Sequence, residues 1–337
     1  FVHRNDVINA TEFVIEKDIN GIFNLCSKVH PSKKEIYTFN SKKYDFEKPI
    51  FSNNEEFLNR IIDGSKISKL GFVYKELFAF RDWWRVKRQS IFPYHFNKNR
   101  YPNFFITNDY EPFSDVTSKV DRVIYCFWTG DNEMSENRKK GYESFAKNSG
   151  VEVKLITPQN LQNYILPEHP LHPAYDNLSL VHKSDYLRCY FMHFYGGGYS
   201  DIKTNRNNWQ KAFESLESNS DKWLLGYTEL TPFGMGKDQG IIDQDLQYYY
   251  KSCVGTGGFI CRSNTKFTAE WYAELNKRMD NFQEELQKFP GDVKGRNPGY
   301  PIGLLVILSQ IFAPLCLKYK ENIIHNDVTL PVLTNYQ

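Results

Sequence analysis

Residues 179–203, SLVHKSDYLRCYFMHFYGGGYSDIK, change their period halfway along. Up to Tyr195 the apolar side chains Leu180, Leu187, Phe191 and Phe194 recur at helical spacing on one stripe, and Gly196, Gly197 and Gly198 form the stop signal. Residues 199–203 then read as a short strand, whose alternation sets Asp201 and Lys203 on one side. On another stripe of the helix lie Asp185 and Arg188, three apart and therefore surface neighbours. They form either a local ion pair worth ~0.2–0.5 kcal/mol or part of a polar site on which helix and strand converge.

Outward from this stretch the rhythm is that of an α/β sheet. Residues 123–128 are a compact apolar run ending at Thr129 and Gly130, a helical pattern follows to about Asn148, and residues 151–157 read as a second strand. Ligands in such sheets bind beyond the carboxyl ends of the strands, which puts Trp128, Thr129 and Gly130 where a nucleotide could sit, although the same Trp could equally be core. Residues 223–229 read as a further strand, and residues 254–260, VGTGGFI, as a glycine loop entering another. The turn-rich stretch 96–118 marks a boundary between a mainly helical accessory region, 1–118, and the main domain, 119–337.

Composition narrows the function classes. The 42 basic and 40 acidic residues nearly cancel, so no global field would hold a nucleic acid. The six cysteines contain no C-x-x-C pair and read as buried free thiols. The longest apolar stretch, residues 302–317, is broken by Gly303, Ser309, Gln310 and Pro314 and is shorter than the ~20 residues a membrane span needs, which favours a soluble protein. Residues 72–88 form an amphipathic pattern with Trp83, Trp84, Arg81, Arg85, Lys87 and Arg88 close together, fitting either a helix docked on the main domain or peripheral association with a membrane. The chain begins at Phe1 without Met, consistent with removal of an anchor, signal or tag. The expected location is the cytoplasm or the inner membrane face, with a lumenal location after loss of an anchor left open.

The stretch 183–203 resembles the donor-site signature of family 32 glycosyltransferases and related capsular polysaccharide synthesis proteins: S-D-x-x-R, a glycine pair, then Y-x-D-x-D. Asp185 and Asp201 stand 16 positions apart as in that signature, and residues 123–130 are similar to the group's opening strand with its Trp near the nucleobase. The resemblance implies a GT-A, Rossmann-like mixed sheet with flanking helices and a retaining hexosyltransferase. Its donor would be a UDP- or GDP-sugar and its acceptor a glycan or lipid-linked glycan, in surface polysaccharide, lipopolysaccharide or glycolipid synthesis. It assigns donor binding to Trp128, Thr129, Gly130, Asp185, Arg188, Gly197, Gly198 and Asp201.

Where the group has a second aspartate as metal ligand, this chain has Lys203, and an ammonium cannot coordinate a cation. Two arrangements follow. Lys203 could itself neutralise the donor diphosphate, or it could pair with a neighbouring acid while Asp201, with His325 of a weakly similar C-terminal segment, captures Mn²⁺ or Mg²⁺. Glu229 is the candidate for orienting an acceptor hydroxyl or stabilising an oxocarbenium-like sugar, while Asp243 and Asp245 read as solvated surface. The competing class is a non-catalytic module that binds a nucleotide-sugar or carbohydrate.

Overall fold

The computed structural model describes residues 2–26, 32–43, 47, 49–51, 62–74, 94–115, 117–232, 235 and 239–332. The chain divides into two compact units, Phe1–Tyr94 and His95–Gln337. In the first, the described regular elements are helices α1 (Arg4–Glu16), α2 (Lys33–Lys43) and α3 (Ser65–Ser68). Ala10, Ile67, Phe72 and Tyr74 make a small core there, with the last two rings edge to face at 5.0 Å. From residue 75 onward the amphipathic pattern expected over 72–88 lies outside the described residues.

The second unit is built on a six-stranded mixed sheet, in the order β2 (Glu152–Ile156), β1 (Val123–Phe127), β3 (Gly197–Ser200), β5 (Val254–Cys261), β4 (Leu224–Thr228) and β6 (Ile323–His325). All neighbours pair in parallel except β5, which runs antiparallel to both β3 and β4. Alternation along β1 explains the layering. Ile124 and Cys126 point into one core with Phe145 of α4 (Glu136–Asn148) and with Ala212, Phe213 and Leu216 of α6 (Gln210–Glu217). Tyr125 and Phe127 face the other way, with ring centres 4.9 and 5.1 Å from Phe191 of α5 (Leu180–Phe194). On that face α5 packs on the long helix α8 (Lys266–Lys288), and Phe312 of α9 (Ser309–Lys318), a helix that also packs on α7 (Ile241–Tyr248), lies tilted against Phe259 of β5 with ring centres 5.2 Å apart.

Helix α5 begins where Ser179 accepts a bond from the N–H of His182 at 3.2 Å and ends where Gly196 and Gly197 take φ of +69° and +90°, values L side chains avoid. The strand therefore starts inside the glycine run and stops at Ser200, earlier than residues 199–203 imply. Asp201 and Lys203 leave its end in a tight turn, Lys203 N–H donating to the Asp201 carbonyl at 2.8 Å. Residues 254–260, expected as a glycine loop entering a strand, are strand from Val254 onward, because their glycines admit neighbours that any side chain would displace. A Cβ on Gly255 would lie 2.0 Å from the Tyr227 ring, and one on Gly258 2.3 Å from the Thr329 carbonyl oxygen.

The units divide at Tyr94 and not within the turns of 96–118, which are tied to the second unit. Arg100 grips Asp245 through Nε and Nη2, and the Tyr101 hydroxyl donates a third bond at 2.6 Å. The Asn264 amide holds the Phe113 backbone from both sides, at 2.8 and 2.6 Å. Asp245 is thus buried, against the expectation of a solvated carboxylate, because Arg100 and Tyr101 cover it. Among the described residues no helix is long and apolar enough to cross a membrane, and helix α9 carries Pro314 in its interior.

Gly258→Ala should lower stability by ~1–3 kcal/mol, since its new methyl meets a backbone oxygen that can move only with the chain around Thr329. Gly303→Ala, with only an ordinary contact at 3.4 Å, should stay within ~0.5 kcal/mol of the parent. Urea unfolding midpoints check both, and equal midpoints for the two variants would contradict the packing argument.

Candidate functional site

Because β1 and β3 are parallel neighbours, their carboxyl ends open on one edge of the sheet, and α5 starts from that same edge. A cleft of about 400 Å³ lies there. Trp128, Thr129 and Gly130 line it from the end of β1, Arg188 from α5, and Asp201 and Lys203 from the end of β3. Six of the residues picked out in the sequence therefore meet in one place.

Each is positioned by local bonds. The half-buried Trp128 indole donates to the Asn132 carbonyl at 2.7 Å while its ring packs against the sheet core, so it is wall and core at once. The Thr129 hydroxyl donates to the Leu180 carbonyl at 2.6 Å. At Gly130 a Cβ would sit 2.3 Å from Asn132 Oδ1 and 2.5 Å from Leu180 Cδ1, so those two side-chain ends close in over the bare glycine. The first N–H groups of α5 are not open to an anion: Leu180 and Val181 donate to the carbonyls of Asp292 and Val293 at 3.3 and 3.4 Å.

Arg188 is the electrostatic centre. Its guanidinium is buried, lies 4.1 Å over the Tyr199 ring and donates to the Thr256 carbonyl at 2.9 Å. Nη2 sits 3.2 Å from Asp185 and 3.7 Å from Asp201. Asp201 also accepts from the Tyr199 hydroxyl at 2.6 Å and pairs with Lys203 Nζ at 2.8 Å. Burial pushes the Asp201 carboxyl up, but Arg188 and Lys203 outweigh it and hold the group below the usual range. Burial dominates at Asp185, which is pushed up to about 6 despite Arg188. Arg138 and Lys294 also line the cleft, Arg138 held by the Ile202 carbonyl at 2.9 Å. Sequence reading missed both: one sits in an ordinary polar helix, the other in a glycine-rich loop, and only tertiary packing aims them here.

Beyond the Arg188 pairing lies a second cavity, of about 270 Å³, into which Asp185 and Glu229 both face. Asp185 is a donor-site candidate on this side of Arg188 and does not line the cleft itself. Among the described residues its buried carboxylate has the ion pair with Arg188 and no hydrogen bond. Glu229 Oε1 accepts from the Leu230 and Thr231 N–H groups at 2.8 and 3.4 Å, and burial raises its carboxyl. A third cavity, of about 460 Å³, lies between Trp128 and Thr129 and the end of β2.

Three candidates lie elsewhere. Gly197 and Gly198 are inside the sheet, where a Cβ would meet the Val123 carbonyl at 2.7 Å and Ile124 at 2.9 Å; their bareness serves strand packing, not a ligand. His325 ends the edge strand β6, exposed to solvent, and it is not among the residues lining the cleft. Among the described residues no three His, Cys, Asp or Glu side chains are grouped to hold a metal ion.

Residues 84–212 match the family model described as capsular polysaccharide synthesis protein, a span that includes Trp128, Asp185, Arg188, Asp201 and Lys203 but not Glu229 or Lys294. The chain is also 35% identical over 77 residues to Protein YeeZ of Escherichia coli strain K12 and to Protein YeeZ of Escherichia coli O157:H7, covering 22% of this chain. It spans 28% of the length of those curated relatives. The stretch that carries the cleft thus falls within a region similar to capsular polysaccharide synthesis proteins.

Proposed function

We propose that the second unit is a glycosyltransferase that moves a sugar from a UDP- or GDP-sugar to a glycan or lipid-linked glycan acceptor in surface polysaccharide synthesis. The observation that carries this reading is the charge of the cleft. Arg138, Arg188, Lys203 and Lys294 stand against Asp201 and, behind Arg188, Asp185, a surplus of two positive charges beside an exposed indole edge. That matches the double negative charge of a nucleoside diphosphate ester, with guanidinium forks suited to phosphate oxygens. The base stacks at Trp128, the diphosphate lies along the cations, and the sugar reaches the second cavity, where Asp185 accepts from its hydroxyls. In the transfer the anomeric carbon–oxygen bond breaks, its electron pair leaving on the diphosphate. The acceptor oxygen bonds to the anomeric carbon and gives up its proton, with the Glu229 carboxylate at hand. Retention of configuration rests on the family resemblance alone.

A divalent ion fits these residues poorly. Both oxygens of Asp201 are engaged, by the Tyr199 hydroxyl and by Lys203, and the position that would add a carboxylate carries an ammonium. The fixed cations take the place of a metal in this reading. An ammonium ~4 Å from a phosphate oxygen contributes on the order of 4 kcal/mol at an effective dielectric near 20, before desolvation.

A screen of UDP- and GDP-sugars for free nucleotide should show release from at least one donor. Tight binding without release would establish the non-catalytic module, and neither binding nor release would overturn both readings. Activity should persist after exhaustive chelation, and Lys203→Ala should lose about 10²-fold in kcat. Activity that vanishes with EDTA, returns with Mn²⁺ and survives in the alanine variant would restore a metal mechanism. Finally, kcat/KM should rise with pH through an apparent pKa of about 6 as Asp185 ionises, and the limb should vanish in Asp185→Asn. The folded value lies above the ordinary 3.8, so this group's contribution to fold stability is full below 3.8 and is lost as pH rises through about 6, which pH-dependent unfolding would read.

A further inference from the structure

The second cavity is lined by two unlike sets of side chains. Asp185 from α5 and Glu229 from the end of β4 supply carboxylates, with Thr256 of β5 between them. One continuous piece of chain, residues 304–313, contributes Leu304, Leu305, Leu308, Phe312 and Ala313, with Ser309 as its one polar side chain in the lining. The volume, about 270 Å³, equals roughly nine waters at ~30 Å³ each, room for a single sugar ring. Asp185 is only 5% exposed, and among the described residues its carboxylate has the Arg188 pair and no hydrogen bond, so it is able to accept from a hydroxyl-bearing ligand. Ser309 offers this stretch a single hydroxyl, so a ring bearing hydroxyls all round would leave others against Leu304, Leu305 and Leu308 without a partner.

We propose that the sugar this cavity takes carries a methyl group, either the C6 of a 6-deoxy sugar or the methyl of an acetamido group, seated against residues 304–313 while ring hydroxyls bond Asp185 and Glu229. This rests on the glycosyltransferase reading above and specifies its donor. A ring with a carboxylate, such as a uronic acid, is disfavoured, because it would meet Asp185 and Glu229 with like charge.

The test is nucleotide release by the full chain from matched donors: GDP-mannose against GDP-6-deoxymannose, UDP-glucose against UDP-N-acetylglucosamine, and UDP-galactose against UDP-N-acetylgalactosamine. In at least one pair the methyl-bearing member should be preferred by about 10²-fold in kcat/KM, the discrimination an apolar pocket achieves against an added hydroxyl or a missing methyl. The nucleotide pair that responds tells a deoxy carbon from an acetamido methyl. Leu305→Asn should lower kcat/KM for the methyl-bearing donor about tenfold more than for its plain-hexose partner. Leu304→Asn, at a side chain 60% exposed, probes the same wall if the first variant fails to fold. Release with equal efficiency within every pair overturns the methyl proposal and leaves the glycosyltransferase standing; no release from any donor overturns both.

Discussion

A buried guanidinium holds this site together. Arg188 reaches from α5 to Asp201 at the end of β3 and to the Thr256 carbonyl in β5, and its guanidinium carbon lies over the Tyr199 ring. Burying one charge alone costs several kcal/mol, and only paired carboxylates and hydrogen bonds offset it. Removing Asp185 or Asp201 would therefore leave a cation exposed to the low-dielectric interior, and removing Arg188 would leave two like charges facing each other. Each of the three constrains the other two. The same group forms the partition between the basic cleft and the acidic, apolar-walled cavity, so what holds the fold locally also sets which chemistry is found on each side.

The fold was legible where period and punctuation agree. The helix over 180–194 follows from its apolar stripe, its Ser179 cap and the glycines after it, and the strands over 123–127 and 152–156 from short β-branched and aromatic runs. Residues 254–261 misled because glycine in sequence signals a turn, whereas here its lack of a Cβ admits Tyr227 and the Thr329 backbone against a central strand. Local pattern cannot reveal who approaches from outside. The same limit applies to Asp245, whose cover by Arg100 and Tyr101 comes from residues about 145 positions away.

The site was legible in part for the same reason. Trp128, Arg188, Asp201 and Lys203 could be placed together because strand ends in a parallel sheet share an edge, a topological fact that alternation alone predicts. Arg138 and Lys294 could not, since neither spacing nor composition distinguishes them from other surface cations. Glu229 was singled out for its acidity. Its position beside Asp185 follows from β4 and α5 converging across β5, a long-range outcome of strand order.

Asp185 and Asp201 share one arginine yet are driven apart. Asp201 has Lys203 at 2.8 Å and a tyrosine hydroxyl at 2.6 Å, so it keeps its charge at any working pH. Asp185 has Arg188 alone and an apolar cavity in front of it, and its proton is held to about pH 6. Two carboxylates whose surroundings separate their pKa values in this way are suited to different tasks. In the proposed reaction the permanently charged one fixes Lys203 and Arg188 where the diphosphate lies and makes no demand on the sugar. The other, short of hydrogen bonds, gains most from a hydroxyl donor, and that gain is available only to a ligand that enters far enough to touch both sides of Arg188. In that reading nucleotide alone would fill the cleft without reaching Asp185 while the intact nucleotide-sugar would do both, a difference that would give the site a physical basis for holding the donor more firmly than the nucleotide that leaves.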